Sequence, residues 1–281
     1  MGSTSIEWTD RTWNPVTGCD NVSPGCDNCY AMTMAKRLKA MGNPKYQTDG
    51  NPRTSGPGFG VAVHEKALRE PFSWRKPSMV FVNSMSDLFH ADIPDEFIAR
   101  VFAVMAATSQ HTYQILTKRH GRMASLVGSD RFESMVAAAF LYDDTVPDGA
   151  RTSGTWPLRN VWLGVSAEDQ KRADLRIPAL MKTPAAVRFV SAEPLLGPID
   201  LNDAPLDWLI IGGESGPGAR PMQAQWARSL RDQCEQLGIA CHFKQAGTVL
   251  AKEWGAASKK GSDPAEWPEP FPREFPAGVS D

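Results

Sequence analysis

Val161-Trp162-Leu163-Gly164-Val165-Ser166-Ala167-Glu168 is an apolar run that ends in a serine, a small residue and an acid. Its ending recurs as Val190-Ser191-Ala192-Glu193, twenty-five residues further on. A segment apolar along its whole length suits a parallel strand covered on both faces. Met79-Val80-Phe81-Val82 and Trp208-Leu209-Ile210-Ile211 have the same character. Working outward, strands are expected at 12–16, 60–64, 79–83, 112–117, 160–165, 186–191, 208–212 and 240–244. Between them lie helical patterns at 94–108, opened by Asp95 and Glu96, at 175–182, and at 225–237, closed by Gly238. Eight strands alternating with helices imply an α/β chain, a (βα)8 or partial TIM-type barrel. Asn83-Ser84-Met85-Ser86-Asp87 follows the third strand much as Ser166-Ala167-Glu168 and Ser191-Ala192-Glu193 follow theirs. Recurrence at one place in successive units puts such side chains on the C-terminal rim, where barrels gather their chemistry. Serines and acids at that place also cap the following helix.

The barrel is expected over residues 1–250, with a cysteine-rich loop at 13–31. Residues 251–281 read as a Pro- and Trp-rich extended arm anchored by Trp254, Trp267, Phe271 and Phe275. Residues 139–155, rich in Gly, Asp and Thr, read as a loop. The 281 residues are 42% apolar and 22% charged, a globular composition. No apolar run reaches membrane-spanning length, so no membrane partner is expected. The first ten residues lack the pattern of a secretory signal, and five unevenly spaced cysteines suit a reducing cytoplasm. A net charge of −2 gives no bulk attraction to nucleic acid and leaves room for a local basic patch.

Three of the five cysteines fall in Gly18-Cys19-Asp20-Asn21-Val22-Ser23-Pro24-Gly25-Cys26-Asp27-Asn28-Cys29. The spacing is C-x6-C-x2-C, with glycines before two of the thiols and Pro15 and Pro24 stiffening the approach. Three thiolates without a nearby fourth suit an iron–sulfur cluster with one open iron. They also suit a zinc site with one exchangeable position. Three ordinary buried cysteines or a disulfide pair is the plainest alternative. Cys234 and Cys241, in late elements, read as buried hydrophobes.

Asn14-Pro15, Gly18-Cys19, Gly25-Cys26 and Cys29-Tyr30-Ala31 resemble the radical S-adenosylmethionine enzymes of the spore photoproduct lyase-like branch. The first gap holds three more residues than that superfamily's C-x3-C-x2-C. In this the chain resembles a phage-associated three-cysteine family of unassigned function. The resemblance implies that Cys19, Cys26 and Cys29 hold a [4Fe–4S] cluster whose open iron takes the amino and carboxylate groups of S-adenosylmethionine. It extends less specifically over residues 11–200. Ser86-Asp87-Leu88-Phe89 is similar to a motif after the branch's third strand, and Thr117-Lys118-Arg119 to one after its fourth. By that likeness Ser86, Asp87, Thr117, Lys118, Ser166 and Glu168 would bind the cofactor, with Lys118 on its carboxylate.

The implied activity is reductive cleavage of S-adenosylmethionine to a 5′-deoxyadenosyl radical that abstracts hydrogen from a substrate, with a nucleobase or nucleotide as the candidate. It requires an electron donor of flavodoxin or ferredoxin type. Photoproduct lyase carries a cysteine where Met85 stands here, so thymine-dimer repair is not implied. Gly212-Gly213-Glu214 resembles the superfamily's glycine-glycine-glutamate element but follows the wrong strand. Glu193, Glu214, Arg220, Lys244 and Gln245 are therefore read as substrate-side candidates on the same rim. Two other classes remain open. One is a zinc- or cluster-bearing nucleic-acid-binding or sensor protein without turnover. The other is a metal-dependent hydrolase using Glu193 or Glu214 as base.

Overall fold

A computed structural model describes residues 4, 6–152 and 154–277. The chain divides into two compact units, one of Met1–Leu163 with Lys182–Ala186, the other of Gly164–Met181 with Val187–Asp281. Nine strands are present among the described residues, and seven of them form one sheet in the order β1-β4-β5-β6-β7-β8-β9. The fold is α/β with parallel pairing.

In the first unit, β1 (Arg11–Trp13) pairs in parallel with β4 (Met79–Val82), which pairs in parallel with β5 (Thr112–Thr117). Trp13 is fully buried, and its indole N–H donates to the Ala67 carbonyl at 2.7 Å. That bond fixes the short α2 (Glu65–Leu68) against β1. Helix α3 (Asp95–Ala107) starts after Pro94 with two acids in its first turn, where the helix dipole favours them. It is apolar nearly all round and packs against α5 (Asp130–Tyr142). Helix α4 (His120–Val127) precedes α5, and α1 (Tyr30–Ala40) follows the cysteine loop. β6 (Val161–Ser166), buried at every position, is the strand at which the chain passes from one unit to the other.

Two expectations are corrected here. Segment 60–64 does not enter the main sheet. Only Ala62–Val63 (β3) is extended, paired antiparallel with β2 (Val16–Thr17) in a separate ribbon. Its residues are half-buried or exposed, and glycines precede it, so it lacks the two apolar faces that a central parallel strand needs. The sheet therefore has seven strands where eight were expected. The loop expected over 139–155 begins later, because α5 runs on through Ala139, Phe140 and Leu141 to Tyr142.

In the second unit, β7 (Val187–Ala192), β8 (Trp208–Gly212) and β9 (Ala240–Gln245) pair in parallel, with a register shift at Gly212. α6 (Gln170–Met181) begins five residues before the expected 175 because Asp169 caps it, accepting from the Arg172 N–H at 2.9 Å. α7 (Ala224–Leu237) ends at Gly238, whose φ of 67° is the left-handed conformation that glycine adopts without strain. Beyond α8 (Gly247–Glu253) the chain is mostly irregular. Phe271 stacks on Phe243 at 4.2 Å, Trp267 meets the same ring edge-on at 4.8 Å, and the Trp208 indole donates to Glu274. Among the described residues no helix is long and apolar enough to cross a membrane.

Candidate functional site

The cysteine loop is folded by contacts that begin at Asn14. Its side-chain oxygen accepts from the Ser84 hydroxyl at 3.2 Å and from the Met85 N–H at 3.1 Å, tying the end of β1 to the turn after β4. Gly18 then passes so close to Gly60 that a Cβ would stand 2.1 Å from the Gly60 carbonyl oxygen. The Cys19 N–H donates to the Phe59 carbonyl, the Cys26 N–H to Ser23 and the Cys29 N–H to Cys26. Cys29 is the N-cap residue of α1. Asp20 accepts from the Thr54 and Ser55 hydroxyls at 2.5 and 3.0 Å and from His90 Nε2 at 3.0 Å. His90 is buried, and its Nδ1 accepts from the Asp92 N–H, which leaves the proton on Nε2 for Asp20. These bonds, the Thr54 one foremost, hold the Asp20 carboxyl below its usual range.

All three thiols are free, and none is fully exposed. Cys19 and Cys29 pack against one apolar cluster of Ala31, Ala35, Tyr46, Phe59 and Met85. Burial, then the Asp87 carboxylate, push the Cys19 thiol up to about 12, with Cys26 adding to the rise and Arg119 opposing it. The Arg119 guanidinium donates to Cys19 Sγ at 3.8 Å.

Asp87 joins the turns after β4 and β5. It accepts from the Thr117 hydroxyl at 2.7 Å, the Phe89 N–H at 3.0 Å and the Lys118 N–H at 3.0 Å. Ser86, Asp87, Thr117 and Lys118 are thus on adjoining turns beside the loop, with some of their polar groups already engaged. The Ser86 hydroxyl donates to the Val16 carbonyl, and Lys118 meets Asp87 through its backbone. The cation that faces a thiol is Arg119, one residue beyond the expected Lys118. Sequence reasoning quoted Asn14 in its motif without giving it a role, and passed over Asp20 and His90. Arg119 had a usable signal, a second cation in the same turn. The Asp20–His90 pair, 70 residues apart, had none.

The second unit holds the remaining candidates. Glu168 is fully buried and pairs with Arg176 at 2.9 Å, while Arg176 also donates to the Ser166 carbonyl. Glu193 pairs with Lys244 at 2.9 Å, and its other oxygen accepts from the Ser191 hydroxyl at 3.1 Å. A Cβ on Gly212 would meet the Glu193 carboxylate at 2.6 Å, so the ends of β7, β8 and β9 converge on one ion pair. Glu214, 8% exposed, is gripped by Arg220 through its backbone N–H, Nε and Nη2. Gln245 donates to the Gly213 carbonyl at 2.9 Å. Both late cysteines are buried.

As placed, no group of three His, Cys, Asp or Glu among the described residues is drawn together to hold a metal ion. The donor chemistry nevertheless fits a thiolate-ligated cluster. Three free thiols share one loop, and two buried polar atoms beside them, Ser23 Oγ and Arg119 Nε, have no hydrogen-bond partner. A family profile described as a protein of unknown function (DUF5131) matches residues 3–267. No curated protein and no solved structure matches the chain.

Proposed function

The chain belongs to the DUF5131 family, and we propose that it is a radical S-adenosylmethionine enzyme whose [4Fe–4S] cluster is held by Cys19, Cys26 and Cys29. The observation that carries this is the meeting of free thiols in one loop with a half-buried arginine, Arg119, whose Nη2 donates to Cys19 and whose Nε has no hydrogen-bond partner. When bound, the cluster would supply the electron that cleaves S-adenosylmethionine to methionine and a 5′-deoxyadenosyl radical.

The chain's own residues supply binding and orientation. Arg119, with its planar fork, takes the carboxylate of the methionine moiety, the role the sequence offered to Lys118. Asp87 fixes the Thr117–Arg119 turn through two accepted hydrogen bonds, from the Thr117 hydroxyl and the Lys118 N–H. Asn14 and the Asp20–His90 pair hold the loop against that turn. The parallel sheet serves as a partial barrel, and a nucleobase or nucleotide is the substrate. Glu193, Lys244, Glu214, Arg220 and Gln245 are kept as its candidate contacts. Catalysis takes place in the cytoplasm, with a flavodoxin- or ferredoxin-type electron donor.

Anaerobic reconstitution with iron and sulfide tests this. The expected result is about four irons and four sulfides per chain, lost in the triple Cys19/Cys26/Cys29→Ala variant. Reduced protein should then release 5′-deoxyadenosine from S-adenosylmethionine. Stoichiometric zinc without iron uptake would reject the proposal in favour of a zinc site.

A further inference from the structure

Charge in this chain is unevenly distributed. Residues 30–76 carry nine Lys or Arg against three Asp or Glu, a net +6, which leaves −8 on the remainder to reach the chain's −2. Six of these cations, Lys36, Arg37, Arg53, Lys66, Arg75 and Lys76, are exposed and make no ion pair among the described residues. Several stand on elements fastened directly to the cysteine loop. Lys36 and Arg37 are on α1, which starts at the residue after Cys29. Arg53 lies in the turn that Asp20 holds through Thr54 and Ser55, and Asn21 donates to the Thr54 carbonyl at 2.9 Å. Lys66 is on α2, just after the β3 strand that pairs with β2.

An aromatic ring opens the helix that carries two of these cations. Tyr30 is 57% exposed, and its hydroxyl donates to the Ser84 carbonyl, so the ring is held at a fixed place beside the loop. A fixed, exposed aromatic among unpaired cations is the combination that binds single-stranded nucleic acid, bases stacking on the ring and phosphates meeting the charges. An amphipathic membrane-surface helix would instead separate its charges and apolar groups into opposite faces of one helix. Here Lys36, Arg37, Arg53 and Lys66 are spread over a helix, a turn and a second short helix.

We infer that the surface carrying Tyr30, Lys36, Arg37, Arg53 and Lys66 binds the sugar–phosphate backbone of a single-stranded nucleic acid beside the cysteine loop. The substrate is then a nucleotide within a strand, not a free mononucleotide. That last step rests on the radical chemistry proposed above, whereas the binding does not.

The full chain, with and without iron, is titrated into labelled fifteen-nucleotide DNA and RNA single strands and followed by fluorescence anisotropy. Duplex DNA and phosphatidylserine-containing vesicles are the comparison arms. Expected is binding by cluster-free protein, with log K falling against log salt at a slope of about −3 if four cations each meet a phosphate. Lys36→Glu with Arg37→Glu should weaken it at least ~10-fold. Tyr30→Ser should weaken single strands ~10-fold and leave duplex binding unmoved. No binding of single strands at about 50 mM salt, binding insensitive to the charge reversals, or binding of vesicles alone would overturn the inference. A failure to load iron would strike the radical chemistry and leave strand binding standing.

Discussion

Gly18→Ala is expected to destabilise the first unit by about 3–4 kcal/mol. Two separable effects add. Gly18 has φ of 86°, and holding an L-residue there costs roughly 1–2 kcal/mol. The added Cβ would also stand 2.1 Å from the Gly60 oxygen, 2.4 Å from its carbonyl carbon and 2.7 Å from the Val61 nitrogen. All three are backbone atoms, so no side chain can rotate away. The β2–β3 ribbon must separate from the loop and give up hydrogen bonds such as Cys19 N–H to Phe59, at about 1 kcal/mol each. Gly42→Ala is the matched control. Its φ is 75°, but no atom lies within 4 Å of the added Cβ, so only the backbone effect of about 1–2 kcal/mol applies. Equilibrium urea unfolding, followed by tryptophan fluorescence, measures both variants against the parent chain. A Gly18→Ala loss no larger than that of Gly42→Ala would refute the steric origin and with it the described loop path.

Burial holds the His242 imidazole at about 4, below its ordinary 6.5. The unfolded chain therefore takes the proton first, and stability is complete above pH 6.5 and lost as pH falls toward 4. The full effect is about 3 kcal/mol, and His242→Phe should show that much less pH dependence between pH 7 and 4; parallel profiles for the two proteins would exclude it. Glu168→Ala strands the buried Arg176 and should cost about 3–5 kcal/mol, measured by urea unfolding. Replacing Glu168 and Arg176 together with leucines should recover most of that loss, and a double variant as unstable as the sum of the singles would show that the two do not act as a pair.

The apolar runs were the legible part of the chain. Met79–Val82 and Trp208–Gly212 are strands because nothing polar interrupts them, and burial on both faces follows. Segment 60–64 misled because its alternation is only a few residues long and a glycine-rich turn can mimic it. Helix α1 left little trace, since Cys29 caps it without a side-chain bond and its first turn holds no acid. At the candidate site, the sequence placed the thiols in one loop and a cation in the Thr117–Arg119 turn. It could not say which cation would face Cys19, because that depends on Asp87 pulling the Lys118 backbone toward itself. The twin Val-Ser-Ala-Glu endings show the same limit. Each follows a strand, yet Glu168 is sealed against Arg176 while Glu193 stays partly exposed beside Lys244. Position along the chain was readable, whereas the partner that decides each acid's role was not.

The electrostatics of Cys19 narrow what the loop can do. A thiol pushed up to about 12 is neutral at physiological pH, and a neutral buried thiol is a poor nucleophile. Reactive-cysteine chemistry, which depends on thiolate, is therefore disfavoured at this position. Coordination reverses the balance, because a bound cation deprotonates the thiol that ligates it. Asp87 has three hydrogen-bond donors of its own, while Arg119 opposes the effect of burial and of Asp87 on Cys19. In the proposed cluster that positive centre is shared among Cys19, Cys26 and Cys29. Arg119, whose Nε has no hydrogen-bond partner, is the cation beside it that the proposal assigns to an anionic ligand. The raised thiol, a product of burial and of Asp87, thus argues against reactive-cysteine chemistry at Cys19 and leaves the proposed ligation to the reconstitution experiment.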